Sequence, residues 1–200
     1  MIKILCVGGS PREGGNSDKL VKWFLKNLLG SSIMAEGILL RNYEFQSCVG
    51  CEKCRKDKSC TGLLDEMQLI YPKILECRGL ILISPVHNYN ITAKMKSFID
   101  RLYCFYNFDN RRPGGWTSQL GYQGRKAVIS AIGKQPNCVD SGVDLALQAM
   151  RLPIEALGYE VIGEIPITGI FEKGEIINYP DILNQAELLG KKLVYLLTKS

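Results

Sequence analysis

Short apolar runs alternate with segments of helical periodicity along the whole chain, and this alternation is the feature that most restricts the fold. It is typical of βα units, in which helices join successive parallel strands and cover the sheet. The run at residues 79–84, Gly-Leu-Ile-Leu-Ile-Ser, is the clearest buried strand. The predicted strands span residues 2–7, 33–40, 79–84, 126–132 and 159–165, and the predicted helices about 17–29, 65–76, 92–103, 140–157 and 180–197.

Five strands and five helices in alternation predict an α/β protein with a flavodoxin-like, doubly wound, five-stranded parallel sheet of order 2-1-3-4-5. Residues 1–200 contain no internal repeat, low-complexity tract or linker, so we expect a single domain. Ser17 or Asp18 is predicted to cap the first helix. In this strand order the first and third strands flank the switch point at which such sheets bind ligands.

The charge balance is 25 basic minus 20 acidic residues, or +5, which is too weak and too dispersed to indicate nucleic acid. No apolar run approaches the ~20 residues that a membrane helix needs, and the N-terminus does not resemble a secretory signal. We therefore expect a cytoplasmic protein with neither a membrane nor a nucleic-acid partner.

The eight cysteines are distributed unevenly. Cys48, Cys51, Cys54 and Cys60 fall within thirteen residues of a cysteine-rich loop at about 45–62, after the second strand. Reducing compartments rarely use disulfides, and a disulfide scaffold spreads its cysteines along the chain, so this cluster indicates a metal centre. Two-residue gaps fold successive thiolates around one centre, and bacterial ferredoxins use a similar first half for 4Fe-4S clusters.

The spacing favours a 4Fe-4S cluster, with zinc as the alternative, since zinc ribbons usually separate two Cys-x2-Cys pairs by a longer insert. The basic residues of the loop would partly offset the charge of such a cluster and attract an acidic donor protein; they are Lys53, Arg55, Lys56 and Lys58. The other cysteines have no spacing partners and are expected to be structural: Cys6, Cys77, Cys104 and Cys138.

A glycine-rich turn follows the first strand and leads into the first helix. Its sequence over residues 8–17, Gly-Gly-Ser-Pro-Arg-Glu-Gly-Gly-Asn-Ser, lets the backbone approach an anion at a helix N-terminus. Ser10, Asn16 and Ser17 add short donors, and Arg12 adds a cation that matches phosphate. The turn has neither Gly-x-Gly-x-x-Gly nor a P-loop ending. It predicts an anion site of another kind or, as the alternative, an ordinary capped turn.

The loop after the third strand reads Ser-Pro-Val-His-Asn-Tyr-Asn over residues 84–90. Because the first and third strands flank the switch point, this loop and the glycine-rich turn open onto one crevice. Its side chains and amides suit the edge and face of a planar ring; the alternative is a helix entry capped by Asn90 or Thr92. His87, the single histidine, is as compatible with a solvent-exposed loop as with a ring contact.

With Gly-Ser-Pro-Arg, Gly-Asn-Ser, Ser-Pro-Val and Lys-Ser-Phe-Ile-Asp-Arg, the chain resembles the NADPH-dependent FMN reductase-like flavoproteins over roughly residues 1–165. The four-cysteine run is similar to that of the iron–sulfur flavoproteins of anaerobic microbes, a subgroup. The resemblance implies FMN and a 4Fe-4S cluster as cofactors. It implies phosphate ligands at Ser10, Arg12, Asn16 and Ser17 and ring contacts at Pro85, Val86, His87 and Asn88. The loop after the fourth strand, around Ala131, Ile132, Gly133 and Lys134, would contact the other side of the flavin. Relatives often carry an aromatic residue in place of His87.

The resemblance implies electron transfer between the cluster and FMN, which would couple a one-electron donor such as ferredoxin to a two-electron acceptor. One alternative is an NAD(P)H-dependent FMN, quinone or nitroaromatic reductase with a structural or zinc-bound cysteine loop. Another is a zinc-stapled module that regulates or scaffolds without turnover. We also expect a homodimer or homotetramer, because a cysteine loop beside an edge strand can serve a neighbouring subunit. Aromatic residues suited to an interface are Tyr106, Phe108, Trp116 and Tyr122.

Overall fold

The computed structural model describes residues 1–28, 32–109 and 114–199, in which strands and helices alternate. The strands are β1 (Ile2–Gly8), β2 (Ile33–Leu39), β3 (Gly79–His87), β4 (Asn90–Ile91), β5 (Tyr106–Phe108), β6 (Trp116–Ser118), β7 (Lys126–Ile132) and β8 (Glu160–Ile167). The helices are α1 (Asn16–Asn27), α2 (Lys53–Asp57), α3 (Met67–Glu76), α4 (Ala93–Arg101), α5 (Cys138–Ser141), α6 (Val143–Ala156) and α7 (Pro180–Lys199).

A parallel sheet is formed by five of these strands in the order β2-β1-β3-β7-β8. Since β7 and β8 are its fourth and fifth strands along the chain, this is the predicted order, and the flavodoxin-like fold is confirmed. Gly8 pairs with Leu39 of β2 and with Ile83 of β3. The carboxyl ends of the three strands therefore lie at one edge of the sheet.

Side chains of the central strands point alternately to the two faces of the sheet, and different helices cover each face. In β3, Leu80 and Leu82 join the core beneath α3, α4 and α6, whereas Ile81 and Ile83 join the core beneath α1 and α7. All four side chains are fully buried. A strand buried on both faces needs an unbroken apolar sequence, which explains the run at residues 79–84.

The strand β3 is longer than its sequence predicts, because it continues to His87 and turns back into β4. The two residues of the turn, Asn88 and Tyr89, have φ angles of 47° and 66°. Two positive φ angles are what a two-residue type I′ hairpin requires. Asn suits such a conformation and Tyr does not, so the sequence signal for this hairpin is weak.

The predicted helix at residues 140–157 is two helices, α5 and α6, which meet at Gly142 with φ +73°. A Cβ at Gly142 would lie 2.5 Å from the Cα of Tyr89. The break therefore lets the tip of the β3–β4 hairpin pack against the start of α6. Among the described residues none of the helices, including α7 with its 20 residues, is long and apolar enough to cross a membrane.

The connection between α4 and β7 carries a two-stranded hairpin, β5–β6, outside the parallel sheet. Three of its aromatic rings, those of Tyr106, Phe108 and Trp116, cluster with the ring of Tyr103. Trp116 remains half exposed in this cluster, and Tyr122 is fully exposed. The hairpin thus presents an aromatic surface to solvent.

Candidate functional site

A cleft of about 300 Å³ lies at the carboxyl ends of β1 and β3, a size at the lower end of the range of small-molecule sites. Its walls come from the turn after β1, the carboxyl ends of β3 and β7, and the segment after β8. The lining residues are Ser10, Arg12, Gly15, Asn16, Ser17, Pro85, Val86, His87, Ile132, Lys134, Ile170 and Phe171. The four residues predicted at a phosphate and three of the four predicted at the ring thus meet in one cleft.

Three predicted flavin contacts do not line this cleft. Asn88 forms the tip of the β3–β4 hairpin, and Ala131 is fully buried in the core beneath α6. Gly133 is held by backbone hydrogen bonds to the end of β8 and lies against α5. Their chain neighbours Ile132 and Lys134 face the cleft instead. Of residues 131–134 at the end of β7, Ile132 and Lys134 therefore line the cleft, and Ala131 and Gly133 do not.

Helix α1 begins at this cleft without a side-chain cap. Gly15 is the N-cap residue, so the predicted caps Ser17 and Asp18 are wrong; both lie inside the helix and are buried. By contrast, the side chains of Thr92 and Asn137 cap α4 and α5. The first N–H groups of α1 have no partner within the helix, and they carry the positive end of its dipole. This end of the cleft fits a phosphate group.

A buried ion pair holds the glycine-rich turn from behind. Asp18 accepts two hydrogen bonds of 2.8 Å from the guanidinium of Arg41 and one of 2.7 Å from the backbone N–H of Gly14. Arg41 also donates to the carbonyl of Ser10 at 3.3 Å. Two opposed charges with matched hydrogen bonds fix the conformation of the turn. Arg41 follows β2 and carries no sequence signal for this role.

The side chain of Asn16 is already paired at both of its polar atoms. Its Nδ2 donates to the carbonyl of Glu172 at 2.9 Å, and its Oδ1 accepts from the N–H of Ile176 at 3.1 Å. Asn16 therefore fixes the segment after β8 beside the start of α1. This segment supplies Ile170 and Phe171 to the cleft. No sequence motif links it to the glycine-rich turn.

Two cations lie at the ring of Phe171. The guanidinium carbon of Arg12 is 5.5 Å from the ring centroid, and the Nζ atom of Lys134 is 4.5 Å from it. Arg12 also donates to the carbonyl of Phe171 at 3.2 Å. In the part of the chain that the structure describes, neither cation forms a salt bridge. Their charges favour an anionic ligand in the cleft.

The four clustered cysteines line a second cleft of about 340 Å³, between the loop after β2 and the end of α4. Cys48 and Cys51 are exposed, whereas Cys54 and Cys60 are half-buried and pack on the core beneath α3 and α4. Arg101 lines the same cleft. The cysteines that do not line it are Cys6, Cys77, Cys104 and Cys138.

The backbone of the cysteine loop turns sharply around this cleft. Gly50, Glu52 and Lys58 all have φ angles between 55° and 65°, which is a strained conformation for the two that carry side chains. A Cβ at Gly62 would overlap the Sγ atom of Cys51. Gly62 thus lets the two limbs of the loop approach each other, as a shared centre between the thiols requires.

The thiols are close enough to interact electrostatically. Burial, followed by the thiols of Cys60 and Cys48, raises the pKa of Cys54, so thiolates here need a cation to balance them. Among the described residues, however, no three Cys, His or acidic side chains are arranged to hold a single metal ion. An iron–sulfur cluster is several atoms across and spaces its thiolates more widely than one ion does. Four thiols on one cleft are a donor set that suits a soft metal centre, an iron–sulfur cluster or zinc.

The fold and its two clefts define a flavodoxin-like α/β protein with a glycine-rich turn at the start of α1 and a thiol-lined loop. The NADPH-dependent FMN reductase family matches residues 2–133, and the chain belongs to this family. An iron-sulfur flavoprotein of Archaeoglobus fulgidus is 32% identical over 193 residues, which are 96% of this chain and 79% of that protein. An iron-sulfur flavoprotein of Methanocaldococcus jannaschii is 34% identical over 100 residues, about half of each chain (50% and 51%).

Solved structures share the fold at low sequence identity. An FMN-dependent NADH-azoreductase of Bacillus anthracis in complex with FMN superposes with a TM-score of 0.71 at 17% identity, over 97% of this chain and 100% of that one. An NAD(P)H:quinone oxidoreductase of Methanothermobacter marburgensis gives 0.71 at 18% identity, over 96% and 98%. These similarities confirm the architecture on which the two clefts lie.

Proposed function

We propose that this protein transfers electrons between a 4Fe-4S cluster at Cys48, Cys51, Cys54 and Cys60 and FMN in the cleft at the ends of β1 and β3. The observation that carries the proposal is that all four cysteines line one cleft of a chain that belongs to an FMN reductase family. The name of the Archaeoglobus fulgidus relative, which aligns with 96% of the chain, supports the same pair of cofactors.

The chain's own residues would bind and orient the two groups. The free N–H groups at the start of α1 and the hydroxyl of Ser17 would hold the FMN phosphate, with Arg12 and Lys134 balancing its charge. Pro85, Val86 and His87 would lie along the ring. When bound, an iron–sulfur cluster exchanges single electrons and FMN exchanges one or two, which permits coupling of one-electron to two-electron carriers.

The electron donor in this proposal is a small ferredoxin-like carrier protein or a nicotinamide cofactor. The family description supports NADPH. A protein donor is supported by the basic side chains beside the cysteine cleft, because an acidic carrier would be attracted to them. These side chains are Lys53, Arg55, Lys56 and Lys58.

A second candidate function is that of an NAD(P)H-dependent FMN, quinone or nitroaromatic reductase whose cysteine loop is structural or binds zinc. The family match covers β1 to β7 and ends well after the cysteine loop, yet its description mentions no metal. In this case reduction by NADPH would not depend on iron. The two candidates therefore differ in what happens when a cluster ligand is removed.

The test compares Cys60→Ser with Cys138→Ser, because both side chains are half-buried and pack on the same core. In anaerobically purified protein we expect flavin bands over broad iron–sulfur absorbance and about four iron atoms per chain. The Cys60→Ser variant should lose the iron and its reduction by a one-electron donor while it keeps FMN, and the Cys138→Ser variant should keep all three.

Flavin without iron, with NADPH turnover equal in both variants, would establish the second candidate. A colourless protein that binds zinc would indicate a scaffold.

We also propose that the working unit is a homodimer or homotetramer. Tyr103, Tyr106, Phe108 and Trp116 line an apolar pocket on the β5–β6 hairpin, and Tyr103 also lines the cysteine cleft. A second subunit packed on these rings would lie next to the cluster site. Sedimentation should give a multiple of 22.3 kDa, and Trp116→Glu should reduce it to one chain with FMN retained. A wild-type monomer that still reduces its flavin through the cluster would refute this.

A further inference from the structure

The two ends of the cysteine loop meet at one buried side chain. Gln46 precedes the first clustered cysteine and Asp65 follows the last. Arg101, at the end of α4, donates to the carbonyl of Gln46 at 2.9 Å and to both carboxylate oxygens of Asp65 at 2.6 and 2.9 Å. The N–H of Gln46 donates to Asp65 at 3.1 Å. These bonds join the two ends of the loop, and we call the contact among Gln46, Asp65 and Arg101 the neck of the loop.

The buried guanidinium of Arg101 uses all of its nitrogens for hydrogen bonds at the neck. Its side chain is 1% exposed, and the side chain of Asp65 is 13% exposed. The Nε atom of Arg101 donates to the hydroxyl of Tyr71 at 3.1 Å, so all three guanidinium nitrogens are bonded. Burial lowers the pKa of Arg101, but its hydrogen bonds with Asp65 and Tyr71, together with electrostatic attraction to Tyr71 and Cys60, outweigh burial and raise that pKa. A buried cation of this kind is costly unless each of its donors has a partner.

The neck is also next to the thiols. Arg101 lines the cleft of the four cysteines. Tyr71, whose hydroxyl is bonded to Arg101, is buried in the core against which Cys60 packs. Burial, and then the thiols of Cys104 and Cys60, raise the pKa of Tyr71. The side-chain amide of Gln68 donates to the carbonyl of Cys60 at 2.9 Å. This hydrogen bond also fixes the part of the loop that carries Cys60.

We propose that Arg101 is a positioning residue for the iron–sulfur cluster: by joining Gln46 to Asp65 it holds the cysteine loop closed around the cluster. The inference rests on the proposed cluster and adds to it a structural element that the cysteine spacing alone does not contain. A loop closed before binding loses less conformational freedom when four thiols are ordered around one group. The planar fork of Arg is essential, because the three donors of Lys lie on one nitrogen and are too few for the four acceptor atoms that Arg101 bonds on Gln46, Asp65 and Tyr71.

The test uses two chemically identical substitutions at opposite clefts. Arg101→Lys opens the neck, whereas Arg41→Lys alters the matched Arg41–Asp18 pair behind the flavin turn. We expect Arg101→Lys to release iron to a chelator about tenfold faster than the wild type and to shift the reduction potential of the cluster, with FMN affinity unchanged. Arg41→Lys should weaken FMN binding and leave iron release unchanged. Equal iron release in the two variants, or wild-type iron release in Arg101→Lys, would overturn the proposal.

A second measurement needs no iron and therefore separates this inference from the proposed function. Hydrogen exchange of the metal-free chain should rise about tenfold over residues 46–66 in Arg101→Lys and only around residues 10–18 in Arg41→Lys. If the wild type holds no cluster but this pattern appears, the proposed function fails while the neck is established. Unchanged exchange at residues 46–66 in Arg101→Lys shows that Arg101 does not close the loop.

Discussion

Ser17 and Arg12 are the side chains at the start of α1 whose removal should separate phosphate binding from ring binding. Each would lose a hydrogen bond to a charged group, worth about 1.5–3 kcal/mol. We expect Ser17→Ala and Arg12→Ala each to weaken FMN binding by about 10- to 100-fold. Riboflavin lacks the phosphate, so its affinity should stay the same. Flavin fluorescence titration measures both ligands, and an equal loss for riboflavin would contradict the assignment.

The side chain of Asn16 has a structural role, although the sequence groups it with Ser17 as a phosphate ligand. Both polar atoms of its side chain bind the segment after β8. The sequence identifies the turn because glycines and short donors sit between a strand and a helix. It does not reveal that Asn16 is occupied, since its partners Glu172 and Ile176 lie about 160 residues away and no local pattern connects them. Pairing between distant segments is decided by packing.

The Arg41–Asp18 pair should contribute measurably to stability. Asp18 is 4% exposed and Arg41 18% exposed in their side chains, so Arg41→Met leaves a buried carboxylate without its partner. We expect the free energy of unfolding in urea to fall by roughly 3 kcal/mol. The exposed pair Lys191–Glu187 provides the control, and Lys191→Met should change stability by less than about 1 kcal/mol. An equal change in the free energy of unfolding in both variants would show that the buried pair contributes no more than the exposed one.

At the scale of elements, the junction between α5 and α6 should be far less tolerant than another glycine of the same conformation. Gly142 and Gly169 have φ angles of 73° and 72°, but a Cβ at Gly169 meets nothing within 4 Å. Gly169→Ala should therefore cost only the conformational strain, about 1 kcal/mol. Gly142→Ala adds an overlap with the backbone of Tyr89 and should cost about 3 kcal/mol. Urea unfolding of both variants measures the difference.

How well the sequence predicts the elements depends on what fixes each of them. Strand β7 is predicted with its bounds, because a buried strand must be apolar throughout. The β3–β4 hairpin and the break at Gly142 are not predicted, because they pack against each other although they are far apart in the sequence. The short helix α2 has an irregular sequence and is bounded by Glu52 and Lys58 in left-handed conformation. Backbone strain of that kind has no sequence signature outside glycine.

For the whole molecule, removal of the metal should leave the fold largely intact. The two cores consist mainly of side chains from the sheet and its helices. Of the described residues of the cysteine loop, Phe45 at its start is buried in one core, and Cys54 and Cys60 pack at the margin of that core. Chelation of iron under anaerobic conditions should preserve the far-ultraviolet circular dichroism and FMN binding. A loss of secondary structure in step with iron would mean that the cluster organises more than its own loop.

The helix α4 connects the two clefts. Near its start the hydroxyl of Thr92 donates to the carbonyl of Gly9 in the glycine-rich turn, at 2.7 Å. Its last residue is Arg101, at the neck of the cysteine loop. Nine residues of rise separate these anchors by about 13 Å. A helix of this length is stiff. The distance between Thr92 and Arg101 is therefore determined by the number of residues in α4. Insertion or deletion of a residue in α4 would change that spacing by about 1.5 Å and rotate one anchor by about 100° relative to the other.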